Sequence, residues 1–119
     1  MKQTRILVVD DNEDSADLMA EVLRGLGHDV RTALDGPTAL DLAVDFRPQV
    51  ALLDIGLPGM DGYEVARRLR ELDDDVRVIA VTGFSRDGDR ARSLAAGFDA
   101  HLVKPVDLEA LRTSVMNQP

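Results

Sequence analysis

The chain contains no cysteine, and that single absence removes disulfides, thiolate nucleophiles and zinc-thiolate centres together. It suits a reducing compartment. No apolar run approaches the roughly 20 residues that a bilayer-crossing helix requires. The opening Met1-Lys2-Gln3-Thr4-Arg5 leads straight into a strand-like segment rather than into the apolar core of a signal peptide. Both features point to the cytoplasm and away from a membrane. Basic charge is scarce as well: 14 Lys and Arg stand against 22 Asp and Glu, for a net charge of −8 at pH 7. Neutralising nucleic-acid phosphates needs the opposite balance, so the expected partner is a protein or a cation. Internal repeats, low-complexity tracts and linkers are lacking too, and 119 residues are expected to form one domain over 1–119. With 45% hydrophobic and 30% charged residues, the chain has the composition of a folded globular protein.

Five short apolar runs are present: Ile6 to Val9, Val30 to Ala33, Val50 to Leu53, Val78 to Val81, and Leu102 to Val103. Three are almost continuously apolar and rich in β-branched residues, which suits parallel strands covered on both faces. Helical periodicity lies between them. Ala16, Met19, Ala20 and Leu23 form one stripe; Leu40, Ala43 and Val44 a second; Val65, Leu69 and Leu72 a third; Ala91, Leu94, Ala95 and Phe98 a fourth; Leu108, Leu111 and Val115 a fifth. Asp35-Gly36-Pro37 opens the second segment and Asp107 can cap the last, while Gly27 and Gly97 follow the first and fourth. Strand then helix, five times over, predicts an α/β fold: a doubly wound, five-stranded parallel sheet with right-handed crossovers and helices on both faces. The common order for such a (βα)5 flavodoxin-like sheet is 2-1-3-4-5, taken from known examples of the class.

In such a sheet the ligand crevice lies beyond the carboxyl ends of the strands. Strand one ends in Asp10-Asp11, strand three in Asp54, strand four in Thr82 and strand five in Lys104-Pro105. With this strand order, three carboxylates, a hydroxyl and an ammonium meet at one place. Clustered carboxylates repel one another, and a divalent cation relieves the repulsion. All-oxygen ligation without cysteine, and with neither histidine at a ligand-like spacing, favours magnesium over zinc, with manganese as a second candidate. A carboxylate nucleophile at Asp54, a metal and Lys104 to offset charge, and the Thr82 hydroxyl are the parts of a phosphoryl-transfer site. Each residue also has a purely structural role open to it. Asp10 or Asp11 could cap the first helix, Asp54 and Thr82 could start turns, and Lys104 could be a solvated charge.

The stretches Ile6-Leu7-Val8-Val9-Asp10-Asp11-Asn12, Leu52-Leu53-Asp54-Ile55-Gly56-Leu57-Pro58-Gly59-Met60-Asp61-Gly62, Val81-Thr82-Gly83 and Leu102-Val103-Lys104-Pro105 resemble receiver domains of bacterial two-component response regulators. The resemblance covers essentially the whole chain. It implies that Asp54 accepts a phosphoryl group and that Asp10, Asp11, Asp54 and the backbone carbonyl of Gly56 hold magnesium. It further implies that Thr82 contacts the phosphoryl group and that Lys104 pairs with it. The implied donor is a phosphohistidine on a sensor histidine kinase or a histidine phosphotransfer protein. The implied output face is the fourth helix, fifth strand and fifth helix, a frequent homodimer surface in the family. The domain is then a signalling receiver that assists its own phosphoryl transfer and slow dephosphorylation, not an enzyme acting on a separate substrate. The family also leads one to expect a cis bond before Pro105.

Two positions depart from the family pattern. His101 stands where relatives often carry Tyr or Phe, so the switching ring would be an imidazole and pH-sensitive, or simply a half-buried strand-edge histidine. Gly56 and Phe84 replace polar side chains that orient attacking water in many relatives, so a long-lived acyl phosphate is expected. Two rival readings remain. A flavodoxin-like nucleotide enzyme would need a glycine- and threonine-rich phosphate loop where this chain has Asp10-Asp11-Asn12-Glu13-Asp14. A binding-only pseudo-receiver would not need Asp11, Asp54, Thr82 and Lys104 intact.

Overall fold

The computed structural model describes residues 3–57, 59–60, 62–83, 97–104 and 106–116. The elements run β1 (Arg5–Val9), α1 (Glu13–Gly25), β2 (Asp29–Ala33), α2 (Gly36–Phe46), β3 (Val50–Asp54), α3 (Gly62–Leu72), β4 (Arg77–Thr82), β5 (Ala100–Val103) and α4 (Leu108–Met116). The fifth helical segment expected from sequence is thus α4. The fourth lies outside the described residues except for Phe98, which is buried.

All five strands are parallel, in the order β2-β1-β3-β4-β5 expected from known examples of the class. Because successive side chains point to opposite faces, the central strands divide their residues between two cores. Leu7, Val9, Ala51, Leu53, Val78 and Ala80 pack against Ala39 and Ala43 of α2 and Val65 and Leu69 of α3. Ile6, Val8, Val50, Leu52, Ile79 and Val81 pack against Ala16, Ala20 and Leu23 of α1 and Leu111 and Val115 of α4. Each fully buried Leu, Ile or Val contributes about 1.5–3 kcal/mol relative to exposure. This two-sided burial explains why β1, β3 and β4 show no polar alternation.

The helices begin where their capping residues place them. Asn12 Oδ1 accepts from the Ser15 amide at the start of α1, and Asp35 Oδ1 accepts from the Thr38 amide at the start of α2. Asp107 Oδ1 likewise accepts from the Glu109 amide at α4. The first helical stripe is buried throughout, but three others shift. In α2 the buried face is Gly36, Ala39, Ala43 and Phe46, and Val44 is exposed. In α3 Leu72 is exposed and Ala66 is buried; in α4 Leu108 is exposed. In α2 the cause is close approach. A Cβ on Gly36 would lie 2.9 Å from Val65 Cγ2, so α2 turns its smallest residues, not its largest, toward α3.

Candidate functional site

Register brings the candidate residues to one edge. Val9 pairs with Leu53, so Asp10 and Asp54 leave neighbouring strands side by side. Thr82 pairs with Val103, which places Lys104 just beyond β4. The ladder extends one residue at both places, with the Asp10 amide donating to Ala33 O (3.1 Å) and the Lys104 amide to Thr82 O (2.7 Å). Backbone hydrogen bonding thus fixes where these side chains start.

Asp10, Asp11 and Asp54 each offer a carboxylate oxygen, and the three oxygens lie within 4.8 Å of one another. Lys104 Nζ donates to Asp10 Oδ2 at 2.7 Å and to Asp54 Oδ2 at 3.2 Å. The remaining oxygens are also engaged: Asp10 Oδ1 accepts from the Asn12 amide at 2.9 Å, and Asp54 Oδ1 from the Gly56 amide at 2.9 Å. Asp10 is completely buried, the Asp54 side chain is 13% exposed, and Asp11 faces solvent. Thr82 is buried at the end of β4. The structure therefore brings together Asp10, Asp11, Asp54 and Lys104, with Thr82 on the adjoining strand end.

Burial and charge act unequally on the carboxyls. Burial alone would raise the Asp10 carboxyl, but hydrogen bonds from Lys104, Asn12 and Ser15 and the charge of Lys104 outweigh it and hold Asp10 below the ordinary carboxylate value. Burial dominates at Asp54 and raises it, even though the Gly56 amide and Lys104 pull the other way; the negative charge of Asp10 adds to the rise. Burial works against the Lys104 ammonium, yet its bonds and charge attraction to Asp10 and Asp54 leave it above the usual lysine value. Three carboxylates with one ammonium still carry excess negative charge. The donor set is all oxygen with one ligand open to solvent, which fits a hard divalent cation such as magnesium.

Other expectations fall in place or outside view. His101 is half-buried in the edge strand β5, opposite Ala80. A Cβ on Gly56 would lie 3.6 Å from Asp54 Oδ1, so a side chain there would reach over the Asp54 carboxylate. Pro105, with its expected cis bond, and Pro58, Asp61, Phe84 and Ser85 lie outside the described residues. Neither Asp10 nor Asp11 caps α1; Asn12 does. Asn12 and Ser15 were not singled out from sequence as site residues, yet the Asn12 amide donates to Asp10 and Ser15 helps lower the Asp10 carboxyl. The signal available was the Asn-x-x-Ser spacing of a helix start directly after the acidic pair.

The family model for the response regulator receiver domain matches residues 6–116. The chain belongs to the response regulator receiver domain family. As a receiver domain it is 35% identical over 115 residues to sporulation initiation phosphotransferase F of Bacillus subtilis, covering 97% of this chain and 93% of that protein. It is 42% identical over 106 residues to the response regulator PleD of Caulobacter vibrioides, covering 87% of this chain but 23% of PleD. The chain thus spans about a quarter of that relative's length. Among solved structures, a response regulator of Burkholderia pseudomallei with a phosphorylated aspartic acid, calcium ion and citrate superposes with a TM-score of 0.88 at 28% identity, over 97% of this chain and 68% of that one. No described helix is long and apolar enough to cross a membrane.

Proposed function

We propose that this receiver domain, a single domain over residues 1–119 working in the cytoplasm, accepts a phosphoryl group on Asp54 from the phosphohistidine of a sensor histidine kinase or histidine phosphotransfer protein. The observation that carries the reading is the placing of Lys104 Nζ within hydrogen-bond distance of both Asp10 and Asp54 at the mouth of a three-carboxylate cluster. An Asp54 oxygen attacks phosphorus, the P–N bond to the donor imidazole breaks, and its electron pair leaves on nitrogen, giving an acyl phosphate on Asp54. Asp10, Asp11, Asp54 and the Gly56 carbonyl would hold magnesium, or manganese in its place, which when bound supplies positive charge for the phosphoryl oxygens. The Lys104 ammonium faces the same oxygens, and the Thr82 hydroxyl donates to one of them. Support comes from the B. pseudomallei response regulator, whose structure holds a phosphorylated aspartic acid and a calcium ion.

Phosphorylation adds negative charge and acceptor oxygens beside Thr82 and Lys104. Drawing Thr82 inward shifts the population toward a second arrangement in which His101 changes orientation. The readout is the face to which β5 and α4 contribute; the fourth helical segment expected beside them lies outside the described residues. That face binds the output or a second copy of the domain. The protein is then a signalling switch that also sheds its phosphoryl group slowly.

Incubation with acetyl phosphate and MgCl2 followed by intact-mass measurement tests the proposal. The expected result is the gain of one phosphoryl group in wild-type protein, dependent on the cation and lost in Asp54→Ala. A mass unchanged at saturating donor and cation, or a gain that survives Asp54→Ala, would overturn it. Replacing His101 with Ala should reduce the phosphorylation-induced spectral change, and an unaltered change would remove His101 from the switch.

A further inference from the structure

The start of α3 meets the backbone of the loop that carries Asp54. A Cβ built on Gly62 would stand 2.8 Å from the carbonyl oxygen of Asp54, 2.8 Å from Ile55 Cα and 3.2 Å from the carbonyl carbon of Asp54. None of these atoms can swing aside as a side-chain tip can. The loop is held from other sides too: the Ile55 amide donates to Val81 O at 3.1 Å, and the Gly62 amide donates to Ile55 O at 3.2 Å. The Asp54 carboxylate turns back to accept from the Gly56 amide at 2.9 Å. The peptide after Asp54 is therefore clamped between β4 and the first residue of α3, and the clamp closes because Gly62 has no side chain.

We infer that Gly62 is a positioning residue for the phosphoryl-acceptor site: its missing Cβ lets α3 seat on the Asp54–Ile55 backbone and fixes the acceptor carboxylate and the Gly56 peptide relative to Asp10 and Lys104. The inference rests on the proposed acceptance at Asp54. A methyl group at Gly62 must push α3 and the loop apart by several tenths of an ångström. The carboxylate is held by bonds of 2.9 and 3.2 Å from two different elements, and such a displacement loosens both. Misplacement on the ångström scale at a reacting group slows group transfer by up to about a hundredfold. Gly62 acts through Asp54 and touches neither cation nor donor.

Leu69 provides the comparison, since it is buried on α3, two helical turns beyond Gly62, in the core shared with α2. Truncating it weakens the packing of α3 without placing an atom against the Asp54 loop. The experiment uses the full chain as wild type, Gly62→Ala and Leu69→Ala. Mg2+ affinity is read from amide shifts, acetyl phosphate labelling at saturating Mg2+ from intact mass, and the melting temperature from circular dichroism. Gly62→Ala is expected to weaken Mg2+ binding and slow labelling by about tenfold or more, while Leu69→Ala melts lower than wild type yet stays within about twofold of it on both readouts. Equal function in Gly62→Ala and wild type, or losses in both variants that simply follow their melting temperatures, overturns the inference. Should Gly62→Ala fail to fold, wild-type hydrogen exchange decides. Saturating Mg2+ must slow exchange of the Gly62 amide, because coupling between two sites is reciprocal, and an unchanged rate overturns the inference. A wild type that neither binds Mg2+ nor gains a phosphoryl group overturns the proposed function itself, an outcome distinct from a Gly62→Ala that does both normally.

Discussion

Asp10 and Asp54 share one ammonium, that of Lys104 at 2.7 and 3.2 Å, yet their acidities move apart: Asp10 is held below the ordinary carboxylate value and Asp54 is pushed above it. The division follows from the number of donors. Asp10 has Lys104, Asn12 and Ser15 around it, whereas Asp54 has Gly56 and Lys104 and faces the charge of Asp10. The carboxyl with the lower proton affinity is the fully buried one, and the one left with excess proton affinity is the expected acceptor.

Stability should report this split. Asp54 favours the folded state only while protonated; that contribution is complete below its ordinary value of 3.8 and disappears as pH rises through its raised folded value. Asp10 does the reverse, stabilising above 3.8 and losing its contribution as pH falls through its depressed folded value. In metal-free buffer at pH 7, Asp54→Asn is expected to stabilise by on the order of 1 kcal/mol, roughly 3 to 6 °C in Tm, and Asp10→Asn to destabilise. The Asp54→Asn difference should shrink first, as pH falls through the raised Asp54 value above 3.8, and the Asp10→Asn difference only below 3.8, as Asp10 takes up its proton. Melting curves across pH, with chelator present, check this, and a lower Tm for Asp54→Asn at pH 7 would contradict it.

Lys104→Met removes the counter-charge from a carboxylate with no access to water. Without metal, the variant should lose about 3 kcal/mol, because an uncompensated buried charge remains at Asp10. Added MgCl2 should then raise the Tm of Lys104→Met more than that of wild type, since a cation that binds only the folded protein stabilises by mass action. Differential scanning fluorimetry over a MgCl2 series gives the comparison.

Asp99 holds the approach to β5. Its Oδ2 accepts from the Val78 amide and from Arg70, both at 2.8 Å, and Arg70 also donates to Gly97 O at 2.7 Å. Asp99→Ala strands a backbone donor beside the core and should destabilise by about 1 to 3 kcal/mol. Arg70→Ala breaks a partly exposed pair and should lose at most about 1 kcal/mol. Urea denaturation of the two variants separates them, and equal losses would show that the Val78 amide does not depend on Asp99.

Gly56 leaves the space over Asp54 Oδ1 without a polar side chain. The phosphorylated domain should therefore release phosphate slowly. Gly56→Asn, which can orient a water there, should speed release on the order of tenfold. Phosphate release after removal of the small-molecule donor measures the rate, and rapid loss from wild type that Gly56→Asn does not accelerate would count against the idea.

The strands and their ends were legible in sequence because β-branched runs alternate with helical stripes and each strand but the second closes on a chemically distinctive residue; the strand order, and with it the meeting of Asp10, Asp54 and Lys104, came from known examples of the class. Helix faces were less so. Leu40, Ala43 and Val44 match a helical period, yet Val44 points outward, since the contact of Gly36 with Val65 and Met60 sets the rotation of α2. Leu72 and Leu108 sit near helix ends, where period alone does not say whether a partner covers them. Asn12 was passed over because an asparagine after two aspartates reads as one more polar residue. Its amide to Asp10 and its side chain to Ser15 become visible only once the turn is built. The crowding at Gly62 likewise depends on where α3 lands, which no local pattern encodes.

Asp10 and Lys104 lie 94 residues apart in the chain, and Lys104 follows directly on β5, the last strand in sequence and an edge of the sheet. A chain still emerging from the ribosome, or one whose final strand has peeled away, presents its acids without the amine that completes them. Such long-range pairing forms late and is lost early. Under the proposed acceptance at Asp54, readiness to be charged then doubles as a certificate of finished folding: copies lacking the Asp10–Lys104 pair should stay unlabelled by a phosphodonor.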